Sequence, residues 1–208
     1  MDSKPSVSPD LRPAYLPERE HQRVKILVAG PMGVGKTTAI RTLSQIPTLH
    51  TEEVMTDAAV GTDDVSLAGL RDKTTTTVGI DFGRLTLPGD RIVLYLHGTP
   101  GQRRFLPLWE GIAFGALGAL VLADTRRLDE SFEVMDLIEE RGLPYAVAVN
   151  IFPDSPDYDL EVLRSKLDLH PDTPLVTCDA REMNSSLNAL IELTAHSISS
   201  VGVGVGAS

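Results

Sequence analysis

The residues predict a three-layer α/β domain, built on a mixed sheet of six mostly parallel strands with one antiparallel edge strand. Three observations carry that expectation. Apolar runs alternate with amphipathic stretches across residues 23–200, most of the runs are apolar on both faces, and a glycine-rich turn joins the first run directly to the first amphipathic stretch. Strands buried on both faces and alternating with helices imply parallel pairing under two layers of helices. With 42% hydrophobic content, the 208 residues supply an ordinary core for one domain.

Taken in chain order, residues 1–22 carry Pro5, Pro9, Pro13 and Pro17 among charged and polar residues and are expected to form a flexible arm. Val24 to Ala29 is the first strand, and Lys36 to about Gln45 the first helix. A long polar segment follows. Val78 to Leu87 and Arg91 to Leu96 then flank Pro88-Gly89-Asp90, the signature of an antiparallel hairpin with a Pro-Gly turn. Ala116 to Ala123 is a buried strand, Leu128 to Glu140 a helix with apolar residues at helical spacing, and Tyr145 to Val149 a short strand. Leu160 to Leu167, Leu175 to Cys178 and Leu187 to Ile198 complete helix, strand and helix, and the Val/Gly alternation of residues 201–208 reads as a flexible tail.

The chemistry concentrates in Gly30-Pro31-Met32-Gly33-Val34-Gly35-Lys36-Thr37, a G-x-x-x-x-G-K-T loop placed after a strand and opening a helix. Glycines let backbone N–H groups, those of Met32, Gly33, Val34 and Gly35 among them, converge on phosphates, and the helix N-terminus adds its positive dipole end. Lys36 is expected to bridge the β- and γ-phosphates of a nucleoside triphosphate, and Thr37 to ligate Mg²⁺. Thr38 either touches the α-phosphate or faces the first helical turn.

Composition narrows the remaining classes. A net charge of −10 opposes nucleic-acid binding and attraction to an anionic membrane. No run of about 18 apolar residues exists to span a bilayer, and the first twenty residues have no apolar leader core. Cys178 is the only cysteine, so the expected setting is a reducing cytosol and the expected role a small buried hydrophobe. Neither end carries a lipidation signal, so membrane association is expected only through partners.

Two segments choose among loop-bearing enzymes. Thr74 to Gly83, with Thr77-Val78-Gly79-Ile80-Asp81-Phe82, resembles the T-x-G-x-D-F segment of Rab-like small GTPases, and Gly98-Thr99-Pro100-Gly101-Gln102 resembles their switch II. The resemblance implies that the Thr77 hydroxyl closes on Mg²⁺, that the Gly101 backbone contacts the γ-phosphate, and that Gln102 orients the attacking water. Thr99 to Phe105, Gly118 to Leu128 and Cys178 to Arg181 are similar, over residues 23–198, to bacterial conservon-type small GTPases of actinobacteria, relatives of the gliding-motility switch proteins. That likeness implies regulation by a roadblock-type protein, sensor-kinase-like neighbours, GTP and GDP as ligands with Mg²⁺, and a monomer or weak dimer.

The chain departs from the pattern at three places. The aspartate that opens switch II is replaced by Gly98, and Asp124 is weighed as a substitute carboxylate against a role as cap of the next helix. Position 76, where the relatives hold an arginine, is Thr76, leaving Arg71 as a nearby alternative, so hydrolysis is expected to be slow. The guanine-reading N-K-x-D becomes Asn150-Ile151-Phe152-Pro153-Asp154, with its carboxylate one residue late, while Asp179-Ala180-Arg181 resembles S-A-K, whose alanine N–H meets guanine O6. Arg126 and Arg127 read as a solvated helix start, and Trp109 as an apolar anchor of a partner surface. A GTP-operated switch is the expectation. A nucleotide-holding module with relaxed base preference and little hydrolysis is the alternative, and a nucleotide kinase is disfavoured by the two switch-like segments.

Overall fold

The computed structural model describes residues 22–56, 75–89, 91–100 and 106–204. Its strands are β1 Gln22–Ala29, β2 Leu49–Thr56, β3 Thr75–Thr86, β4 Ile92–Gly98, β5 Ala116–Ala123, β6 Tyr145–Asn150 and β7 Leu175–Cys178. Its α-helices are α1 Lys36–Leu43, α2 Leu106–Ala113, α3 Phe132–Glu139, α4 Leu160–Lys166 and α5 Met183–Gly204, with a 3₁₀ turn at Leu128–Ser131 entering α3.

The strands form one sheet in the order β2-β3-β4-β1-β5-β6-β7. From β4 to β7 all neighbours are parallel, whereas β3 runs antiparallel to β4 and to β2. The expected fold class therefore holds with a corrected count of seven strands rather than six. The added strand is β2, which pairs outside β3 from Leu49↔Phe82 to Thr56↔Thr75. Its sequence, Leu-His-Thr-Glu-Glu-Val-Met-Thr, is too charged to read as a buried strand, but an outer strand needs only backbone pairing.

Two apolar layers flank the sheet. On one face Ile26, Val28, Leu94, Leu96, Leu120 and Leu122 pack with Ile40 and Leu43 of α1 and Leu190 and Leu193 of α5. On the other, Leu27, Val121 and Val147 meet Trp109 of α2, Met135 and Ile138 of α3 and Leu163 of α4. Trp109 is 1% exposed, so the expected partner anchor is a core residue, because α2 lies on the sheet and buries the indole there. Phe114 is instead 85% exposed, just beyond α2. His97, near the end of β4, packs edge-on against Phe82, with ring centroids 5.2 Å apart.

Helix α5 continues to Gly204, beyond the expected start of a flexible tail at residue 201; of the expected arm over 1–22, Gln22 opens β1, and residues 1–21 and 205–208 lie outside the described residues. Cys178 is buried as a free thiol, and burial pushes its pKa up. Among the described residues, no helix is long and apolar enough to cross a membrane.

Candidate nucleotide-binding site

The parallel strands β1, β4, β5 and β6 deliver their C-terminal ends to one rim of the sheet, the place where open α/β sheets bind ligands. The loop from Gly30 to Gly35 leaves β1 at this rim. Gly30 has φ 135° and a β-carbon there would stand 2.4 Å from the Leu122 carbonyl oxygen; Gly35 has φ 105° and would place one 2.6 Å from Asn150 Nδ2. Both positions therefore need glycine for conformation and for space. Gly35 is the N-cap of α1 and supplies no side-chain cap, so its first-turn N–H groups remain directed at the loop.

Lys36 folds back over this loop, its Nζ donating to the carbonyls of Gly30 at 2.7 Å and Pro31 at 2.8 Å. Burial holds its pKa down to about 8, with Asp81 opposing that effect and Arg127 adding to it. Met32, Gly33 and Val34 span the loop's turn, with the Val34 N–H donating to Pro31 O at 3.4 Å, and Thr38 is an exposed residue of the first turn of α1.

The Thr37 hydroxyl donates to Asp81 Oδ2, and Asp81 Oδ1 lies 3.0 Å from His50 Nδ1. Asp81 is almost completely buried, and its β-carbon is 3.2 Å from where a side chain on Gly98 would begin. The carboxylate missing from position 98 is thus supplied across the β3–β4 ladder, where Phe82 pairs with His97. Asp124, the substitute weighed from the sequence, is occupied elsewhere. The sequence signal for Asp81 was present in the Thr-x-Gly-x-Asp-Phe segment, but only the strand register places it beside Gly98.

A hydroxyl and a carboxylate converging beside the phosphate loop are hard oxygen donors of the kind Mg²⁺ prefers, and that ion takes few protein ligands and keeps several waters. Among the described residues no cluster of three or more His, Cys, Asp or Glu competes with the pair. Thr37 and Asp81 therefore fit such an ion. The backbone of Thr77 lies in β3 opposite Val54, and its side chain falls outside the described residues, as do Gly101 and Gln102.

Asn150, at the end of β6, is a buried brace. Its Nδ2 donates to Val34 O at 2.9 Å and its Oδ1 accepts from the Ala180 N–H at 2.9 Å, tying the phosphate loop to the β7–α5 loop. The Ala180 N–H, expected to meet a base, is thus committed to Asn150. Asp179 turns back on Arg181: its Oδ1 accepts from Arg181 N and Nε, both at 2.9 Å, and its Oδ2 from Nη2 at 2.7 Å. Those bonds to Arg181 hold the Asp179 carboxyl at about 2.

Asp124 is fully buried at the end of β5 and gathers both arginines that the sequence placed in solvent. Its Oδ1 accepts from Arg126 N at 3.0 Å and Nε at 2.9 Å, and its Oδ2 from Arg126 Nη2 at 2.7 Å and Arg127 Nε at 3.4 Å. Arg126 raises a third side-chain donor, Nη1, to Asp154 Oδ1 at 2.7 Å, and its guanidinium lies 4.1 Å above the Phe152 ring. Arg127 Nη2 donates to Met32 O at 2.6 Å on the phosphate loop. Hydrogen bonds from Arg126 lower the pKa of Asp124 and Asp154. The solvated-helix reading of Arg126 and Arg127 fails because a buried carboxylate requires compensating donors.

A family described as "Conserved hypothetical ATP binding protein" matches residues 28–157, more than half of the chain. The chain belongs to that family. The matched span of this ATP-binding family runs from the end of β1 through the phosphate loop, Asp81 and Asp124 to the Asn150–Asp154 loop. No curated protein sequence matches the chain.

Solved structures agree on the fold. The FeoB G-domain of Methanococcus jannaschii is 13% identical with a TM-score of 0.55, covering 85% of this chain and 98% of that one. The cytosolic domain of the T. maritima FeoB iron transporter in a GDP form is 16% identical with a TM-score of 0.60, covering 86% and 64%. Elongation factor SelB of Methanococcus maripaludis, in complex with the GTP analogue GppNHp, is 14% identical with a TM-score of 0.57, covering 87% and 35%. The chain thus spans about two thirds of that FeoB cytosolic domain and about a third of SelB. This member of the ATP-binding family has a P-loop GTPase-like fold.

Proposed function

We propose that this chain is a nucleoside-triphosphate-operated switch that binds GTP and GDP with Mg²⁺, hydrolyses GTP slowly, and changes partner affinity with the state of its nucleotide. The observation that carries the reading is the convergence of the Gly30–Gly35 loop, Lys36, and the Thr37–Asp81 pair on one rim of the sheet. Amide groups of the loop and of the first turn of α1 receive phosphate oxygens, and the Lys36 ammonium exchanges its loop carbonyls for the β- and γ-phosphates. Thr37 and Asp81 hold the ion side of the site; a bound Mg²⁺ supplies charge neutralisation for the phosphates.

Thr77 and Gly101 respond to the γ-phosphate, and Gln102 orients the attacking water; catalysis of this kind is positioning and electrostatics rather than covalent chemistry. In this reading no arginine stands at position 76, which accounts for slow turnover and for reliance on an activating partner. The partners are a roadblock-type regulator and sensor-kinase-like proteins. The chain works in the cytoplasm, reaches a membrane only through those partners, binds no nucleic acid, and is a monomer or weak dimer.

A second reading, a nucleotide-binding module of relaxed base preference with little hydrolysis, is favoured by the pairing of Asp154 with Arg126 and by the family's description as ATP-binding. Calorimetric titration of nucleotide-free protein with GTP, GDP and ATP analogues in Mg²⁺, with Lys36→Ala as control, tests both. GTP and GDP binding lost in Lys36→Ala supports the switch, together with phosphate release from GTP that falls in Gln102→Leu. Nucleotide binding without such phosphate release moves the assignment to the module, and no binding of any nucleotide overturns both.

A further inference from the structure

We infer that Arg126 is the specificity-determining residue of the base site: by holding Asp154, it removes the carboxylate from guanine readout and lets the site take adenine and guanine nucleotides with little discrimination. The inference rests on the reading of this rim as a nucleotide site. Guanine shows adjacent N–H donors that suit a free carboxylate, whereas adenine shows an acceptor nitrogen to the same position. A free aspartate therefore rewards guanine and repels adenine, and discrimination of this type is strong because the wrong base leaves polar groups unpaired.

Asp154 is not free in that sense. Its Oδ1 accepts from Arg126 Nη1 at 2.7 Å, which takes one oxygen and offsets its charge. Asp154 is 71% exposed on its side chain, and an ordinary surface ion pair would be weak. This one is reinforced from below. The Arg126 side chain is already ordered by two hydrogen bonds to the fully buried Asp124 and by the Phe152 ring beneath its guanidinium, so holding Asp154 costs little further side-chain entropy. The Thr125 hydroxyl adds a second tie between the two loops, donating to Pro156 O at 3.2 Å. The neighbouring amides are engaged too: Ala180 N–H serves Asn150, and Arg181 N–H serves Asp179. The amides at this loop are thus committed within the protein, and Asp154 keeps one of its oxygens on Arg126.

A double-mutant cycle on the full chain tests this, with the affinity ratio for Mg²⁺-bound non-hydrolysable GTP and ATP analogues as readout. Asp154→Ala alone is expected to change the ratio less than about threefold, because the carboxylate does not read the base while Arg126 holds it. Arg126→Met, which keeps an unbranched apolar stem and frees Asp154, is expected to shift the ratio about tenfold toward guanine, and adding Asp154→Ala should abolish that gain. A fall of tenfold or more in guanine preference in Asp154→Ala overturns the inference, since Asp154 would then read guanine despite Arg126. The Asp154→Ala arm changes only an exposed side chain, so it can overturn the inference even where Arg126→Met folds poorly. An unchanged ratio in folded Arg126→Met, with Lys36→Ala still abolishing binding, overturns this inference alone. Absence of binding by the unaltered protein overturns the nucleotide reading and this inference with it.

Discussion

Replacing Asp81 by alanine isolates the carboxylate that stands in for the residue missing at Gly98. The side chain is almost completely buried, takes the Thr37 hydroxyl on one oxygen and lies 3.0 Å from His50 Nδ1 on the other. A hydrogen bond to a charged group contributes about 1.5–3 kcal/mol, and supporting partners of a metal ligand are typically worth about 10–100-fold in metal affinity. One such bond to Thr37 is removed, so the Mg²⁺ concentration giving half-maximal triphosphate binding should rise roughly 10- to 100-fold. The assay is a Mg²⁺ titration at fixed GTP analogue, followed by calorimetry, with chelated samples as reference. In chelator the two proteins should bind alike. A reciprocal variant sharpens the test: Gly98→Asp combined with Asp81→Gly removes the β-carbon 3.2 Å from the new side chain and returns the carboxylate to β4, so Mg²⁺ dependence should recover. The same Mg²⁺ dependence in Asp81→Ala and the unaltered protein would refute the reasoning.

The Lys36 ammonium has its pKa lowered to about 8 by burial, from an ordinary 10.5, while a bound triphosphate favours the charged form. Binding then takes up a proton above pH 8, so affinity should be flat below that point and fall by up to about tenfold per unit above it, as fluorescence titrations at pH 7, 8 and 9 would show. For folding the sign is opposite, because between pH 8 and 10.5 the unfolded chain binds the extra proton and thermal stability from this group rises with pH. Asn150→Ala removes the brace between Val34 O and Ala180 N–H, and leaving two buried backbone groups unsatisfied should cost about 2–6 kcal/mol in chemical denaturation, with nucleotide affinity falling alongside. Gly35→Ala sets a methyl 2.6 Å from Asn150 Nδ2 at φ 105°, and both strain and clash should reduce phosphate binding more than tenfold; near-normal affinity would show that the loop relaxes freely.

What the sequence made legible was local. The Gly30–Thr37 loop carries its mechanism in eight consecutive positions, and its placement between β1 and α1 follows from adjacent patterns. The hairpin of β3 and β4 was legible because a Pro-Gly turn punctuates two apolar runs. Asp81 was visible as a residue but not as a partner of Thr37, since its role depends on a register that pairs Phe82 with His97. The arginines following β5 looked like a solvated start because no linear pattern reveals that Asp124 is buried beneath them. Trp109 misled for a related reason: an aromatic in a short helix reads equally as anchor or core, and only the sheet face beneath α2 decides. β2 escaped because backbone pairing to β3 outweighs the poor strand preference of its adjacent glutamates.

The burial of Asp124 also constrains how this site can change over generations. A lone charge left without its partner inside a protein costs about 3–5 kcal/mol, comparable to the whole margin of a small domain. Arg126 therefore cannot be exchanged for a neutral residue before Asp124 is neutralised or Arg127 moves closer to it, whereas Asp154 at the surface drifts at little cost. A lineage acquiring guanine preference would be expected to neutralise position 124 first and lose Arg126 afterwards with Asp154 retained, which makes ancestry, as much as chemistry, a determinant of which nucleotide such a protein takes.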